Sequence, residues 1–377
     1  VLRTHSRSPQ TRFPQLAKAM TLLRSLYTFT IALLICVAIP GESSQAEVQK
    51  QSAQKAQTKN VTLKKPKVVT KKKTPIKKVA SKATPRPVVM FADSKVRGWD
   101  YLADRLIRDG FSPGTITALF QDRRMPWFTE IPFAVAPREG HHMYAGFNSK
   151  SRIEQARSFL EKYSTEFERA EDRFKVSRYA VAALLMIETG FGRNTGKEIV
   201  LYRLARLASA ADPENAKRNY ERLRKTDPTV TLEAVIARAK YLEETFYPEV
   251  GAVLQIAREE QFDPLGLRGS SAGAFGIPQF LPTSYLRFAR DHNDDGRIDL
   301  FHESDAIAST ANFLAHFGWD DEASDEVKRA VIWKYNHSEA YVDTALSIKK
   351  TLAAKSAAGL AGKRVTLNPS GAQLNQP

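Results

Sequence analysis

Between Ser94 and Leu352 apolar residues recur every three or four positions, the period of helices that turn one face to a core. The pattern predicts helices over Trp99 to Arg108, Pro113 to Phe120, Ser151 to Phe174, Leu232 to Glu244, Glu249 to Gln261, Asp305 to Phe317 and Asp325 to Tyr335. One segment differs. Tyr179-Ala180-Val181-Ala182-Ala183-Leu184-Leu185-Met186-Ile187 has no polar face, so it predicts a helix buried on every side. Thr189-Gly190 follow as a stop, with Gly190 suited to the left-handed cap position. Strand-like alternation is sparse and no fixed-period repeat is present, so the expected fold is mainly α and not a solenoid.

Glu188 closes the buried run, where a carboxylate is hardest to keep ionised. Desolvation and the negative end of the helix dipole both disfavour its charged form, so its pKa is expected to be raised, as a general acid near neutral pH requires. A buried Glu paired with a distant Lys or Arg would fit the same position.

At 377 residues and 42% apolar content the chain is long enough for one large domain or two small ones. Its net charge of +16 suggests nucleic acid until it is located. Thirteen Lys and Arg lie between Glu47 and Pro87 against the single acid Glu47, so this stretch holds +12 and the remainder is close to balanced. With Pro66, Pro75, Pro85 and Pro87 and no aromatic, residues 47–90 are expected to be a disordered, self-repelling linker. It serves either as a solvated spacer or as a contact to anionic lipid or an anionic wall polymer. No nucleic-acid partner is expected.

Residues 1–46 read as an upstream extension and a signal peptide. From Met20, the basic Arg24 leads into an apolar stretch from Leu26 to Ile39, Pro40-Gly41 follow, and Ser44-Gln45-Ala46 fits a cleavage site. The stretch is short for a membrane span; an uncleaved anchor is the alternative. Export to the periplasm or cell envelope is therefore expected. Cys36 is the only cysteine, and Ile35 before it is not the small residue that lipidation wants. Once the signal is removed no cysteine remains, which excludes disulfides and thiol catalysis. A flexible tail is expected over 355–377.

The second chemical signature is Asp291-His292-Asn293-Asp294-Asp295-Gly296-Arg297-Ile298-Asp299. Oxygen side chains at the first, third, fifth and ninth positions, with Gly296 sixth and Ile298 eighth, reproduce most of a calcium loop of the EF-hand type. His302 stands where the bidentate Glu belongs, and Asp305 is the candidate closing carboxylate. A surface turn rich in Asp is the alternative. Upstream, Gly269 to Tyr285 is rich in small residues that allow close backbone approach, but no GKS/T follows, so a nucleotide P-loop is excluded. No organic cofactor is expected.

In this order, Glu188-Thr189-Gly190-Phe191-Gly192-Arg193-Asn194-Thr195-Gly196, Asp263-Pro264-Leu265, Gly269 to Tyr285, the Asp291 loop, Asp305-Ala306-Ile307, Gly318-Trp319 and Tyr335-Asn336 resemble the lytic murein transglycosylases of the membrane-bound B type. The resemblance covers Trp99 to Leu352. It implies a lysozyme-like helical catalytic domain, here 91–354, with a structural calcium loop at 291–305 inside it and an additional helical region. It also implies cleavage of the MurNAc–GlcNAc bond of peptidoglycan without water, leaving a 1,6-anhydromuramyl end; a monomer is expected. Residue by residue, it makes Glu188 the single acid/base and Ser270 and Gln279 sugar contacts. Tyr335, Asn336 and Tyr341 become cleft residues. It assigns the calcium to Asp291, Asn293, Asp295, the Arg297 carbonyl and Asp305. Phe313 stands where a cleft Tyr is found, Ser271 where an aromatic is common, and Ala211 to Thr229 lacks the usual Tyr-Pro-Arg-Arg run. One carboxylate rather than a pair agrees with an intramolecular nucleophile. The rival classes are a hydrolytic muramidase and a noncatalytic peptidoglycan-binding protein.

Overall fold

The computed structural model describes residues 96–137 and 140–366, with side chains as far as residue 354. The expected signal peptide, the basic linker of 47–90 and residues 367–377 lie outside the described residues. Twelve α-helices are present among those described: α1 Asp100–Arg108, α2 Pro113–Gln121, α3 Lys150–Lys162, α4 Ser164–Phe174, α5 Arg178–Thr189, α6 Val200–Ala208, α7 Pro213–Arg224, α8 Leu232–Glu259, α9 Pro282–Phe288, α10 Glu303–His316, α11 Asp325–Tyr335 and α12 Glu339–Thr366. Two short strands, β1 Glu198–Ile199 and β2 Arg268–Gly269, pair antiparallel. Among the described residues no helix is long and apolar enough to cross a membrane.

The helices gather around two cores. One is built from α1, α2, α6, α8 and α9, with Trp99, Leu102, Phe120, Leu204, Phe246 and Phe288 inside it. The other joins α3, α4, α5, α10, α11 and α12 through Ile153, Phe167, Leu184, Leu185, Ile307 and Ile348. Phe317 and Tyr335 pack against both. Helix α5 is central to the second core: every residue from Ala180 to Ile187 is buried, as its uninterrupted apolar sequence requires. Trimming Leu184 or Leu185 to Ala there would cost about 2–5 kcal/mol. Ser177 caps its first turn by accepting the Tyr179 N–H at 3.2 Å.

The expected helix from Ser151 to Phe174 breaks at Tyr163, whose ring packs on Phe159 at 4.7 Å and whose hydroxyl donates to Glu303 at 2.5 Å. These contacts divide it into α3 and α4. The two helices expected on either side of Pro248 are one, α8. Proline removes a single backbone donor, and burial of Phe246, Val250 and Val253 along the same face keeps the helix continuous. The backbone also stays helical from 355 to 366, where the sequence suggests a tail. Helices α6, α7, α9 and α12 are not among those expected from the periodicity, although α6 buries Val200, Leu201, Leu204 and Leu207.

Candidate active site

Helix α5 ends in a left-handed Gly190 (φ 60°, ψ 44°), whose N–H returns to the Leu185 and Met186 carbonyls. That cap turns the chain just after Glu188, so the half-buried carboxylate emerges from the buried helix into a cleft of about 680 Å³. Thr189 locks the turn, donating to the Ile277 carbonyl at 2.9 Å and accepting the Gly192 N–H at 2.9 Å. The chain then runs through Gly196 (φ 91°), where a Cβ would stand 2.0 Å from the Gly269 carbonyl oxygen. Only glycine permits that approach, which lets β1 meet β2 and carries Ser270 to the cleft.

Glu188 is the one carboxylate among the described residues that line the cleft. Its Oε1 accepts a hydrogen bond from the Tyr341 hydroxyl at 2.6 Å. Tyr341 itself is fully buried on α12 and does not line the cleft, contrary to the sequence expectation that it would. Burial, with the neighbouring Glu188 second, holds its pKa well above the usual value. The phenol therefore remains a donor.

Tyr335 lines the cleft near Glu188, stacked on Tyr341 at 6.4 Å with 12° between the ring planes. Its hydroxyl donates to the Pro278 carbonyl at 2.5 Å, and burial pushes its pKa well above the usual value, with the Glu188 charge adding to the effect. Phe313 packs edge-on against Tyr335 at 4.8 Å and Phe280 lies 6.0 Å from it, so three aromatic rings make one wall. Gln279 sits at φ 52°, strained for a side chain with a Cβ. Its Nε2 donates to the Gly276 carbonyl at 2.8 Å and the Thr195 carbonyl at 3.2 Å, which fixes the amide and leaves Oε1 as an acceptor. Ser270 is buried, accepts the Ala274 N–H at 3.2 Å and keeps its own hydroxyl proton free to donate. Asn336 is buried at the end of α11 and also lines the cleft. The fold thus brings Glu188, Ser270, Gln279, Phe313, Tyr335 and Asn336 to one cleft.

Two supports carried no sequence signal. Arg203 on α6 donates from Nε to the Ser271 carbonyl at 2.5 Å, tying down the turn that bears Ser270; burial lowers its pKa. Glu249 on α8 is buried and caps the first turn of α9, accepting the Thr283 N–H at 2.8 Å and the Thr283 hydroxyl at 2.6 Å. It sets the start of the helix whose Ser284 faces the cleft.

The 291–305 segment coils about its own side chains. Asp291 accepts the Asp294 N–H at 2.8 Å and the Gly296 N–H at 2.9 Å, and Asp295 accepts the Arg297 N–H at 2.9 Å. The side chain of Asn293 donates to Asp295 at 2.9 Å. Asp305, buried at the start of α10, draws the loop closed by accepting the His292 N–H at 2.9 Å and the Asp299 N–H at 2.8 Å. His302 caps α10 by accepting the Ser304 N–H at 3.3 Å. No group of three or more His, Cys or acidic side chains among the described residues is arranged to hold a metal ion. The donor chemistry, oxygens from Asp291, Asn293, Asp295 and the Arg297 carbonyl on one turn, still suits a hard cation.

Residues 94–331 match the sequence model of a family described as the transglycosylase SLT domain. Membrane-bound lytic murein transglycosylase B of Escherichia coli (strain K12) is 34% identical over 173 residues, which is 46% of this chain and 40% of that protein. The chain thus spans less than half the length of that curated relative. The E. coli lytic transglycosylase Slt35 in complex with bulgecin A superposes with a TM-score of 0.52 at 22% identity, over 71% of this chain and 95% of that one. The soluble lytic transglycosylase SltB1 from Pseudomonas aeruginosa gives 0.52 at 22% identity, over 69% and 99%. Slt35 in complex with calcium gives 0.51 at 22% identity, over 71% and 95%. The mainly α, lysozyme-like fold expected from the sequence is the fold of these structures.

Proposed function

We propose, from the premise that this chain belongs to the transglycosylase SLT domain family, that it is a peptidoglycan lytic transglycosylase of the cell envelope with Glu188 as its general acid and base. The observation that carries the proposal is Glu188 itself: one half-buried carboxylate in an aromatic-walled cleft, held by a buried phenol at 2.6 Å. The glycan strand lies across the cleft with sugar faces on Phe313 and Tyr335. Ser270, Gln279 and Asn336 meet hydroxyl and amide groups.

Neutral Glu188 gives its proton to the glycosidic oxygen as the bond from C1 of MurNAc breaks. The oxocarbenium-like centre is stabilised by the neighbouring N-acetyl group. The 6-hydroxyl of the same sugar then bonds to C1, and its proton passes to the Glu188 carboxylate, which restores the acid. The second nucleophile is already part of the substrate, so the cleft's task is to orient the ring and exclude water. Tyr341 holds Oε1 of Glu188 and so orients the acid in the cleft.

A calcium ion in the 291–305 loop belongs to the same proposal. Asp291, Asn293, Asp295, the Arg297 carbonyl and Asp305 would hold it, and its part is to brace the loop between α9 and α10, outside the reaction.

Glu188→Gln tests the assignment. The amide is nearly isosteric but donates no acidic proton, and removing a general acid costs about a hundredfold to ten-thousandfold. Lysis of purified sacculi should be lost while strand binding persists; wild-type lysis by the variant would refute it.

A further inference from the structure

One lip of the cleft is cationic and has nothing to hold. Arg152 and Gln155 lie three residues apart on α3, hence on one helical face, and both line the cleft. The Arg152 guanidinium sits over the Phe147 ring at 5.4 Å, and its Nη1 comes within 3.4 Å of where a Cβ on Gly190 would stand, two residues from Glu188. Arg193, in the turn after α5, lines the same cleft. Among the described residues neither the half-buried Arg152 nor the exposed Arg193 has a carboxylate partner or a side-chain hydrogen bond. The Nε2 of Gln155 is a buried donor with no acceptor. An orphaned donor of this kind costs about 1–3 kcal/mol, a cost that is relieved when the amide turns toward an acceptor brought into the cleft by a ligand. Two guanidiniums and an amide N–H lining one cleft favour an anion as that acceptor, and the planar fork of Arg is matched to a carboxylate.

On the reading proposed above, the acid stands at C1 of a muramyl sugar. That sugar differs from its glucosamine neighbours by a 3-O-lactyl group, which ends either in a free carboxylate or in a peptide bearing carboxylates. We infer that Arg152, Gln155 and Arg193 form a carboxylate-binding lip that recognises the acidic substituent of the muramyl residue and so sets both the register of the strand and the preference for murein over neutral glycans. Register matters because only one of the two alternating glycosidic bonds then falls at Glu188. Guanidinium contacts made equally in the bound and reacting states appear chiefly in KM.

The test compares kcat/KM on three soluble glycan strands: stem-bearing strands, the same strands with stem carboxylates converted to amides, and strands stripped of stems so that the lactyl carboxylate is free. The wild type should favour carboxylate-bearing over amidated strands by roughly tenfold or more. In Arg152→Gln/Arg193→Gln, and to a smaller extent in Gln155→Leu, that ratio should collapse toward one through a rise in KM. Melting curves and binding of neutral chito-oligosaccharide confirm that the variants are folded. Collapse on stem-bearing strands alone assigns the lip to the peptide, and collapse on stripped strands as well assigns it to the lactyl group. A preference that survives both variants, or a wild type with no preference, overturns the inference while leaving the activity intact. A wild type that cleaves none of the strands defeats the functional reading itself.

Discussion

Replacing Tyr341 by Phe removes one atom next to the proposed acid. The ring is fully buried, packs edge-on to Tyr144 at 6.1 Å and stacks on Tyr335 at 6.4 Å, and these contacts survive the change. The fold should therefore tolerate it, unlike Tyr341→Ala, which would empty a buried site at a cost of about 3–5 kcal/mol. What is lost is the 2.6 Å bond to Glu188 Oε1. Hydrogen bonds to charged groups contribute about 1.5–3 kcal/mol. Because Glu188 is half-buried and water can take part of the vacated role, about 1–2 kcal/mol is the expected loss, or roughly five- to thirtyfold in rate. It should fall on kcat rather than KM, since the bond orients the acid and does not touch the sugar. The donor also favours the carboxylate over the acid form, so without it Glu188 ionises less readily and the alkaline limb of the pH–rate profile should move upward. Initial rates on soluble strands across pH, with melting curves alongside, provide the assay. A variant with the wild-type melting temperature, kcat and pH profile would refute the role assigned to the bond.

Glu249→Gln should shift stability in a pH-dependent way. Burial raises the Glu249 pKa above its ordinary 4.5, against the opposing Thr283 hydrogen bonds, so the folded state holds the proton to higher pH than the unfolded chain. Wild-type stability from this group is full below 4.5 and declines as pH rises through the folded value. Gln keeps an acceptor for the Thr283 N–H without that titration, so the variant's melting temperature should gain on the wild type between pH 4 and pH 8; a difference flat with pH would count against it. Chelation should lower the melting temperature of the wild type, because an ion bound only by the folded state stabilises it. The shift should be absent in Asp291→Ala/Asp295→Ala, and an unchanged wild-type curve in chelator would remove calcium from the account.

Glu188 was legible because an unbroken apolar run with a Thr-Gly stop leaves one place for a carboxylate to emerge, and the structure keeps that local logic in the burial of α5 and the left-handed Gly190. The 291–299 segment was legible as a turn for the same reason, since its side chains bind backbone within a few residues, while no metal-holding cluster forms there among the described residues. What sequence spacing could not supply were partners far along the chain. Tyr341 reaches Glu188 across 153 residues, and Arg203 reaches the Ser271 carbonyl across 68. Their burial follows from which helices pack together, and periodicity within one helix does not carry that. Gln155 reads as an ordinary polar residue of an amphipathic helix until its neighbours leave its amide without a partner. The break expected between Glu244 and Glu249 does not occur: Pro248 costs α8 a hydrogen bond and a clash with the preceding turn, and the buried face of the helix outweighs both.

The chemistry assigned to Glu188 leaves its mark on the product. Mass spectrometry of the fragments that the wild-type protein releases from purified sacculi reads it directly. Attack by the sugar's own 6-hydroxyl predicts muramyl ends lighter by one water than the corresponding reducing ends. Release of reducing ends would show that water, not the substrate, completes the reaction, and would contradict the account.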